Sequence, residues 1–462
     1  MPVTKPLLIT IGKNIRLEGI PDPLDRLLRN QLEIPNPKWL ENERMGRWNR
    51  QTPKTLCFYT RTPDGGLILP RGTMGHLIRR CKNDGIEYRI DDHRRCLPLL
   101  DFTFTGMLKP FQKDAVDALM PKHFGTLSAP TGSGKTIMAM AMIADRRQPT
   151  LIIVHTQDLA DQWMCRIESF LNIPEANVGR IGGGKKKIGT HITIALVQSL
   201  YKCAEEIAPG IGFLIVDECH RCPSRTFTEA VLLFDSKYML GLSATPWRRD
   251  NLSKLIFWHL GDVQYSIDKN LLVDSGDILP AQILVRPTEF KAHHDPAKAY
   301  SKMLAELTTD DPRNRLIASD VAIEAEKTDG ICLVLSDRKQ HCETLKAILT
   351  FRHKIAAELL TGDVDAGKRA QILKALADGN IKVLIATGQL LGEGFDCPNL
   401  SSLFLTTPIR FSGRVIQYIG RVLRPAPGKH QARIFDYVDE HVGVLKAAAG
   451  ARQNVYQGES CR

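Results

Sequence analysis

The sequence predicts an α/β protein: two tandem, doubly wound parallel-sheet domains preceded by a small α+β domain. Three observations predict it. From residue 108 onward, short continuous apolar runs alternate with helical segments, the pattern of strands covered on both faces. The alternation comes in two series, separated by a cluster of Gly, Asp and Pro at 274–287. Finally, 462 residues are too many for a single core, and 43% hydrophobic with 24% charged residues is the composition of a soluble globular protein. No apolar run approaches the ~20 residues that would span a bilayer, and residues 1–10 do not read as a signal peptide. Eleven irregularly spaced cysteines point to reduced thiols and a cytoplasmic location.

Residues 1–100 read as a basic accessory domain. An alternating apolar stretch at 7–15 predicts a strand, and prolines at 21, 23, 35 and 37 mark connections. Runs at 56–61 and 66–69 flank Pro63-Asp64-Gly65 and predict a hairpin, followed by an amphipathic helix over 74–81. This fifth of the chain holds 18 Lys and Arg against 11 Asp and Glu, so it supplies +7 of the net +11. A polyanion is the natural partner of such a balance, and a solvated basic surface is the alternative. Trp39 and Trp48 lie among Lys38, Arg44, Arg47 and Arg50, which suits nucleic acid, with packing of both rings into a core as the competing reading.

Residues 101–278 form the first predicted α/β domain. At 127–136 the chain reads Leu-Ser-Ala-Pro-Thr-Gly-Ser-Gly-Lys-Thr, an apolar strand broken into a tight loop that opens an Ala- and Met-rich helix. That order is a phosphate-binding loop. Pro130 opens the loop, and the backbone N–H groups of Thr131, Gly132, Ser133 and Gly134 with the helix end would cradle phosphates, with Lys135 as the point charge and the Thr136 hydroxyl on Mg²⁺. Ala129 replaces the first glycine of the generic pattern. Further strands are predicted at 150–155, 191–197, 213–217 and 239–243. The third ends in Asp217-Glu218-Cys219-His220, where Asp217 would hold the metal and Glu218 would orient or deprotonate the attacking water. His220 reads as a polar link to a neighbouring strand end. Cys219 and Cys222 have C-x-x-C spacing, but no second Cys/His pair lies nearby to complete a zinc site. Residues 279–462 form the second domain, with strands at 330–335, 355–360, 381–387, 402–407 and 432–438 and helices at 338–349 and 366–377.

With these motifs in place the chain resembles the superfamily 2 DExH-type helicases, and within them the XPB-like and UvsW-like DNA helicases. The resemblance spans residues 108–437. Leu-Lys-Pro-Phe-Gln112 resembles the segment that reads adenine through its Gln, and Ala129–Thr136 resembles motif I, where Ala at the first position is usual. Asp217–His220 resembles motif II, and Ser243-Ala244-Thr245 resembles motif III, which couples hydrolysis to nucleic-acid contact through Ser243, Thr245 and His220. Residues 331–336 resemble motif IV. Ala386-Thr387-Gly388 with Gly392-Glu393-Gly394-Phe395-Asp396 resembles motif V, placing Gly394 and Asp396 at the nucleotide and Thr387 at the strand. Gln417-Tyr-Ile-Gly-Arg421-Val-Leu-Arg424 resembles motif VI, whose Gln and two arginines act on ATP bound by the other domain. The resemblance implies two RecA-like domains, ATP and Mg²⁺ as ligands, and DNA as partner: single-stranded, forked or branched. It places His155, Gln157, Gln198 and Ser199 on the sugar-phosphate backbone. Gly182-Gly183-Gly184 followed by Lys185, Lys186 and Lys187 reads as a flexible loop bringing charge to the same backbone.

ATP has four negative charges to neutralise, and its hydrolysis needs a metal, a placed water and cations at the γ-phosphate. With Lys135, Asp217 and Glu218 on one domain and Arg421 and Arg424 on the other, the complete site exists only when the cleft closes, which couples closure to nucleotide. The expectation is an ATP-dependent DNA helicase or translocase, serving repair, recombination or branch migration. It is read as a monomeric motor of 3′ to 5′ type by family, bacterial or phage-encoded, with protein partners unspecified. Competing readings are a duplex translocase in a restriction or remodelling complex, an RNA helicase, and a nucleotide-gated binding module. Pro246-Trp-Arg-Arg-Asp250 departs from the Arg-Glu-Asp element of XPB-like enzymes, which leaves the DNA structure preference open.

Overall fold

The computed structural model describes residues 6–221, 225–244, 253–388, 397, 399–409 and 412–456. The chain divides into two compact units, residues 1–129 with 134–267, and residues 268–462 with 130–133.

The N-terminal module contains β1 (Leu7–Ile11), β2 (Asn14–Glu18), α1 (Asp22–Gln31), β3 (Glu33–Pro35), α2 (Pro37–Arg44), β4 (Thr55–Cys57), β5 (Thr60–Arg61), β6 (Leu67–Pro70), α3 (Met74–Asn83) and β7 (Tyr88–Asp92). Its main sheet has the order β5-β6-β2-β1-β7, antiparallel except for β1 against β7. The stretch expected as one strand over 7–15 is two strands: the chain turns at Gly12 and Lys13, and Ile11 pairs with Ile15. Both apolar sets still reach one core, because alternation survives on each side of the turn. The expected hairpin is also shorter. Only Thr60 and Arg61 pair across the turn, while Thr55–Cys57 joins β3, to which Asn36 Nδ2 tethers the preceding chain by donating to Pro53 O at 2.7 Å.

The first large sheet follows from α4 (Pro110–Leu119), β8 (Phe124–Ser128), α5 (Lys135–Arg146), β9 (Thr150–Val154), α6 (Gln157–Leu171), β10 (Gly179–Gly182), β11 (Lys185–Lys187), β12 (Ile192–Leu196), α7 (Val197–Leu200), α8 (Ala204–Ile207), β13 (Phe213–Val216), α9 (Arg225–Val231), β14 (Tyr238–Ser243), α10 (Ser253–Leu260) and β15 (Val263–Ser266). Strand order is β11-β10-β12-β9-β13-β14-β8-β15, and every pairing is parallel except β10 with β11. β9 and β13 are buried along their whole length, as continuous apolar strands between two helical layers must be.

The N-terminal module is packed onto this sheet's last helix. Leu255 and Trp258 of α10 sit in the same apolar cluster as Leu7, Leu17, Leu28 and Leu77, and the Phe58 and Trp258 rings are 5.2 Å apart. Gly72 is required at the contact, since a Cβ there would lie 2.3 Å from Phe257 O and 2.6 Å from Trp258 O. Buried Arg71 donates to Ser236 O at 2.8 Å, and burial lowers its pKa to about 9. Arg95 adds a two-pronged ion pair to Asp235, 3.0 Å on each side. Deleting the module would therefore expose a large apolar face of α10.

The second unit carries α11 (Lys269–Asp274), β16 (Ala281–Pro287), α12 (Pro296–Thr309), α13 (Asp311–Lys327), β17 (Ile331–Ser336), α14 (Lys339–Arg352), β18 (Ala357–Leu360), α15 (Ala366–Ala377), β19 (Val383–Thr387), β20 (Leu400–Leu405), α16 (Ser412–Val422), β21 (Ala432–Val438) and α17 (Gly443–Tyr456). Its six strands are all parallel, in the order β16-β21-β20-β17-β19-β18. Residues 281–287, expected to belong to the joint between domains, instead form the edge strand β16, hydrogen-bonded along all seven residues to β21. No helix among the described residues is long and apolar enough to cross a membrane.

Candidate functional site

In the first sheet β13, β14 and β8 are neighbours, so the loops that follow them emerge side by side at the C-terminal edge, where parallel sheets bind ligands. The loop after β8 holds the phosphate-binding sequence. Ala129 N donates to Ser243 O at 3.0 Å, joining this loop to the end of β14. Gly132 (φ +92°) and Gly134 (φ +82°) occupy the left-handed region, which lets the chain turn and deliver its N–H groups to the start of α5. Lys135 opens that helix and donates from Nζ to Ala129 O at 3.0 Å, with Thr136 beside it in the first turn. Gln112 of α4 is buried, its Oε1 accepting from Lys109 N at 2.9 Å. A Cβ at Gly134 would lie 2.4 Å from Gln112 Nε2, so only glycine lets this amide rest against the loop.

Asp217 and Glu218 follow β13. Asp217 is buried; its Oδ1 accepts from Glu218 N at 2.8 Å and its Oδ2 accepts from the Trp163 indole Nε1 at 2.8 Å. Glu218 has φ +48°, a sparsely populated conformation for a residue with a Cβ, and its Oε2 lies 3.1 Å from His220 Nδ1. Burial, and then the neighbouring Glu218 charge, push the Asp217 carboxyl above the usual carboxylate range, while Trp163 and Lys135 pull it back. Two adjacent carboxylates in a buried strand end call for a cation. A Mg²⁺ ion, which takes one or two protein carboxylates and draws its remaining ligands from water and phosphate, fits that donor set. His220 Nδ1 lies 3.1 Å from Ser243 Oγ and 3.1 Å from Glu218 Oε2, so it bridges the ends of β13 and β14. Cys219 is fully buried and its thiol pKa is raised well above normal by that burial. Cys222 lies outside the described residues, as does Thr245.

On the other flank of β13, β9 and β12 place the residues expected at a nucleic-acid backbone. His155 follows β9, Gln157 opens α6 behind the Thr156 cap, and Gln198 and Ser199 lie on α7 directly after β12. Next to them the Gly182–Lys187 stretch, expected as a flexible loop, is an ordered two-stranded hairpin in which Ile181 pairs with Lys186. Three consecutive glycines at positive φ make its turn. A Cβ on Gly183 would lie 2.3 Å from Gln157 Nε2, and Gln157 Oε1 accepts from Arg180 Nη2 at 2.7 Å. The three lysines differ. Lys186 pairs with Glu206 at 2.6 Å, Lys187 donates to Ala176 O, and Lys185 is exposed with no ion pair among the described residues.

In the second unit Thr387 ends β19, and Tyr418 Oη donates to Gly388 O at 2.8 Å, tying α16 to that strand end. Gln417 is buried on α16, and Arg421 and Arg424 lie partly buried at its C-terminal end. Lys429 Nζ donates to Val422 O (2.6 Å) and Arg424 O (2.7 Å), closing the helix. Gly394 and Asp396 lie outside the described residues. Two residues escaped the sequence reading. Trp163 had a signal, because a tryptophan on an apolar helix face needs an acceptor for its N–H. Arg180 had none, since its partners Gln157 and Asp161 are met only through the fold.

Residues 105–248 match the family described as "Type III restriction enzyme, res subunit", and residues 314–426 match the "Helicase conserved C-terminal domain". A "DNA 3'-5' translocase XPB2" of Sulfurisphaera tokodaii is 27% identical over 353 residues, covering 69% of this chain and 78% of that protein. The "ATP-dependent DNA helicase uvsW" of Enterobacteria phage T4 is 24% identical over 450 residues, covering 90% and 86%. A "Putative ATP-dependent RNA helicase L396" of Acanthamoeba polyphaga mimivirus is 27% identical over 376 residues, covering 78% and 69%. Among solved structures, S. cerevisiae Dbp5 bound to RNA and ADP BeF3 superposes with a TM-score of 0.55 at 15% identity, covering 76% of this chain and 88% of that one. That likeness bears on the fold: each large parallel sheet is RecA-like.

Proposed function

The chain belongs to the superfamily 2 helicases, in their XPB-like and UvsW-like DNA helicase group, and from that premise we propose that it couples ATP hydrolysis to movement along DNA and separation of its strands. The observation that carries the reading is the convergence of Lys135, Asp217, Glu218, His220 and Ser243 on three neighbouring strand ends of one sheet. Lys135 and the loop's N–H groups would bind the phosphates, Gln112 the adenine, and Thr136 with Asp217 the metal, which when bound supplies charge neutralisation at the β- and γ-phosphates. Glu218 would orient the attacking water. Gln417, Arg421 and Arg424, with Gly394 and Asp396, would act on the nucleotide from the second domain. His155, Gln157, Gln198, Ser199, Lys185 and Thr387 would hold the sugar-phosphate backbone, and the N-terminal module would anchor duplex or branched DNA. Such a motor is proposed to act as a monomer in the cytoplasm.

ATP turnover measured with single-stranded, blunt duplex, forked and four-way DNA, with RNA alongside, tests the reading. Stimulation by DNA, and unwinding of a duplex with a 3′ single-stranded tail, are expected. Stimulation by RNA alone would overturn it. The match of residues 105–248 to a restriction-enzyme subunit favours one second reading, duplex translocation without strand separation. Displacement of a triplex-forming strand with no unwinding of tailed duplexes would select it.

A further inference from the structure

The positive charge of the N-terminal module is unevenly available. Arg16, Arg29, Arg61, Arg79, Arg80, Arg94 and Arg95 are each ion-paired to a carboxylate, and Arg71 is buried. Lys13, Arg26, Lys82 and Arg89 are exposed without an ion pair among the described residues but lie apart in sequence, whereas five such cations fall within residues 38–54. Lys38, Arg44, Arg47, Arg50 and Lys54 are all exposed, and none forms an ion pair among the described residues. Glu41 and Glu43 are the only acids in that stretch. In its middle Trp48 is 80% exposed, with Leu40 (46%) and Met45 (53%) close by in sequence. The core-packing reading of this tryptophan is therefore excluded.

Single exposed apolar residues are ordinary on protein surfaces, but this one is held out by a built frame. Asn36 caps α2, accepting from Lys38 N at 3.0 Å, and its amide donates to Pro53 O at 2.7 Å. Asn42 Nδ2 donates to Asn49 Oδ1 at 2.9 Å, and Asn49 Nδ2 donates to Trp39 O at 3.0 Å. Arg47 N closes the turn onto Asn42 O at 2.7 Å. The Arg50 guanidinium sits 5.5 Å from the Trp48 ring centroid, and Lys54 Nζ sits 5.3 Å from that of Trp39. Three asparagines thus pin both sides of a loop that carries an exposed indole with one guanidinium beside it.

We infer that residues 36–54 form a binding site for an unpaired nucleobase, stacked on Trp48, with the surrounding Lys and Arg side chains holding the adjoining phosphates. This rests on the proposal that the module anchors DNA, and narrows it to the single-stranded side of a junction. Stacking needs an open base face, which the interior of a duplex does not offer, and five exposed cations in one short stretch favour a polyanion over an apolar protein surface.

The test uses the full chain and fluorescence anisotropy with three labelled DNAs: a blunt duplex, a fork with single-stranded arms, and the same fork with abasic arms. Trp48→Ala is expected to weaken intact-fork binding by about 5- to 150-fold, the range of one lost base stack. Its affinity for the duplex and the abasic fork should match wild type, its salt slope should be unchanged, and Trp48→Phe should recover most of the loss. The triple variant Arg44→Ala, Arg47→Ala, Arg50→Ala should weaken binding to all three DNAs and flatten the slope of log K against log[salt] by up to about three units. Wild-type fork binding by Trp48→Ala, or an equal loss on duplex, overturns the stacking site; a flattened slope in the triple variant would then leave the anchoring role standing. A triple variant indistinguishable from wild type overturns anchoring as well and assigns the surface to a protein partner.

Discussion

On the proposed nucleotide flank of the first sheet Asp217, His220 and Ser243 are locked inside, whereas on its proposed nucleic-acid flank the side chains are more open. Asp217, His220 and Ser243 are 6%, 4% and 0% exposed, and each is held by a neighbour from another strand or helix. Across β13, Gln198 and Lys185 are exposed, and Gln157 is steadied from one side by Arg180 and the glycine turn. The difference suits what each flank would do under the proposed function. Stabilising developing charge requires fixed dipoles in a low-dielectric site. Gripping a backbone that must be released on every step requires exposed groups of modest individual strength.

The largest expected effect that separates the flanks is Lys135→Ala. Losing the phosphate cation should remove ATP turnover, while nucleotide-free DNA binding, measured by anisotropy, persists; wild-type turnover would break the assignment. Glu218→Gln comes next, with hydrolysis down by ~10²-fold or more and Mg·ATP binding retained in equilibrium measurements with a fluorescent analogue. Trp163→Phe keeps the ring but removes the donor to Asp217, so the Mg²⁺ concentration needed for half-maximal nucleotide binding should rise on the order of 10-fold, as for loss of one hydrogen bond to a charged group. An unchanged Mg²⁺ requirement would reduce Trp163 to a packing residue. On the open flank, Gly183→Ala pushes a Cβ into Gln157 and should raise several-fold the single-stranded DNA concentration giving half-maximal ATPase stimulation. The hairpin lysines should matter least: Lys185→Ala lowers the salt slope of DNA binding by about one unit, and Lys186→Ala, whose charge already meets Glu206, changes it less. Equal effects from the two lysines would mean that the hairpin is not the contact surface.

Much of the candidate site was legible because it is local. The phosphate loop, the Asp217-Glu218 strand end and the Gln417–Arg424 helix each lie in one contiguous stretch, where residue type and spacing alone carry the constraint. Strand ends in both sheets fell within a few residues of their expected places, since a strand buried on both faces must be apolar throughout. Errors gathered where local sequence was ambiguous. Alternation at 7–15 says strand but not where it folds back, and three glycines before three lysines read equally as a slack loop or a tight hairpin turn.

By itself, then, the sequence determined the two α/β domains, the nucleotide chemistry and the excess of positive charge on the first hundred residues, because periodicity, short motifs and charge counts are properties of adjacent residues. Only the tertiary structure decided which of those charges are spent on carboxylates far along the chain, as Arg79 is on Asp262 and Arg95 on Asp235, and which remain for a ligand. It likewise brought Trp163 to Asp217 across 54 residues of sequence and set Gly72 against the end of α10. A hydrogen bond or a close approach between distant segments leaves no periodic trace. Its partners are chosen by packing rather than by neighbours, so pairing, exposure and docking had to be read from the folded chain.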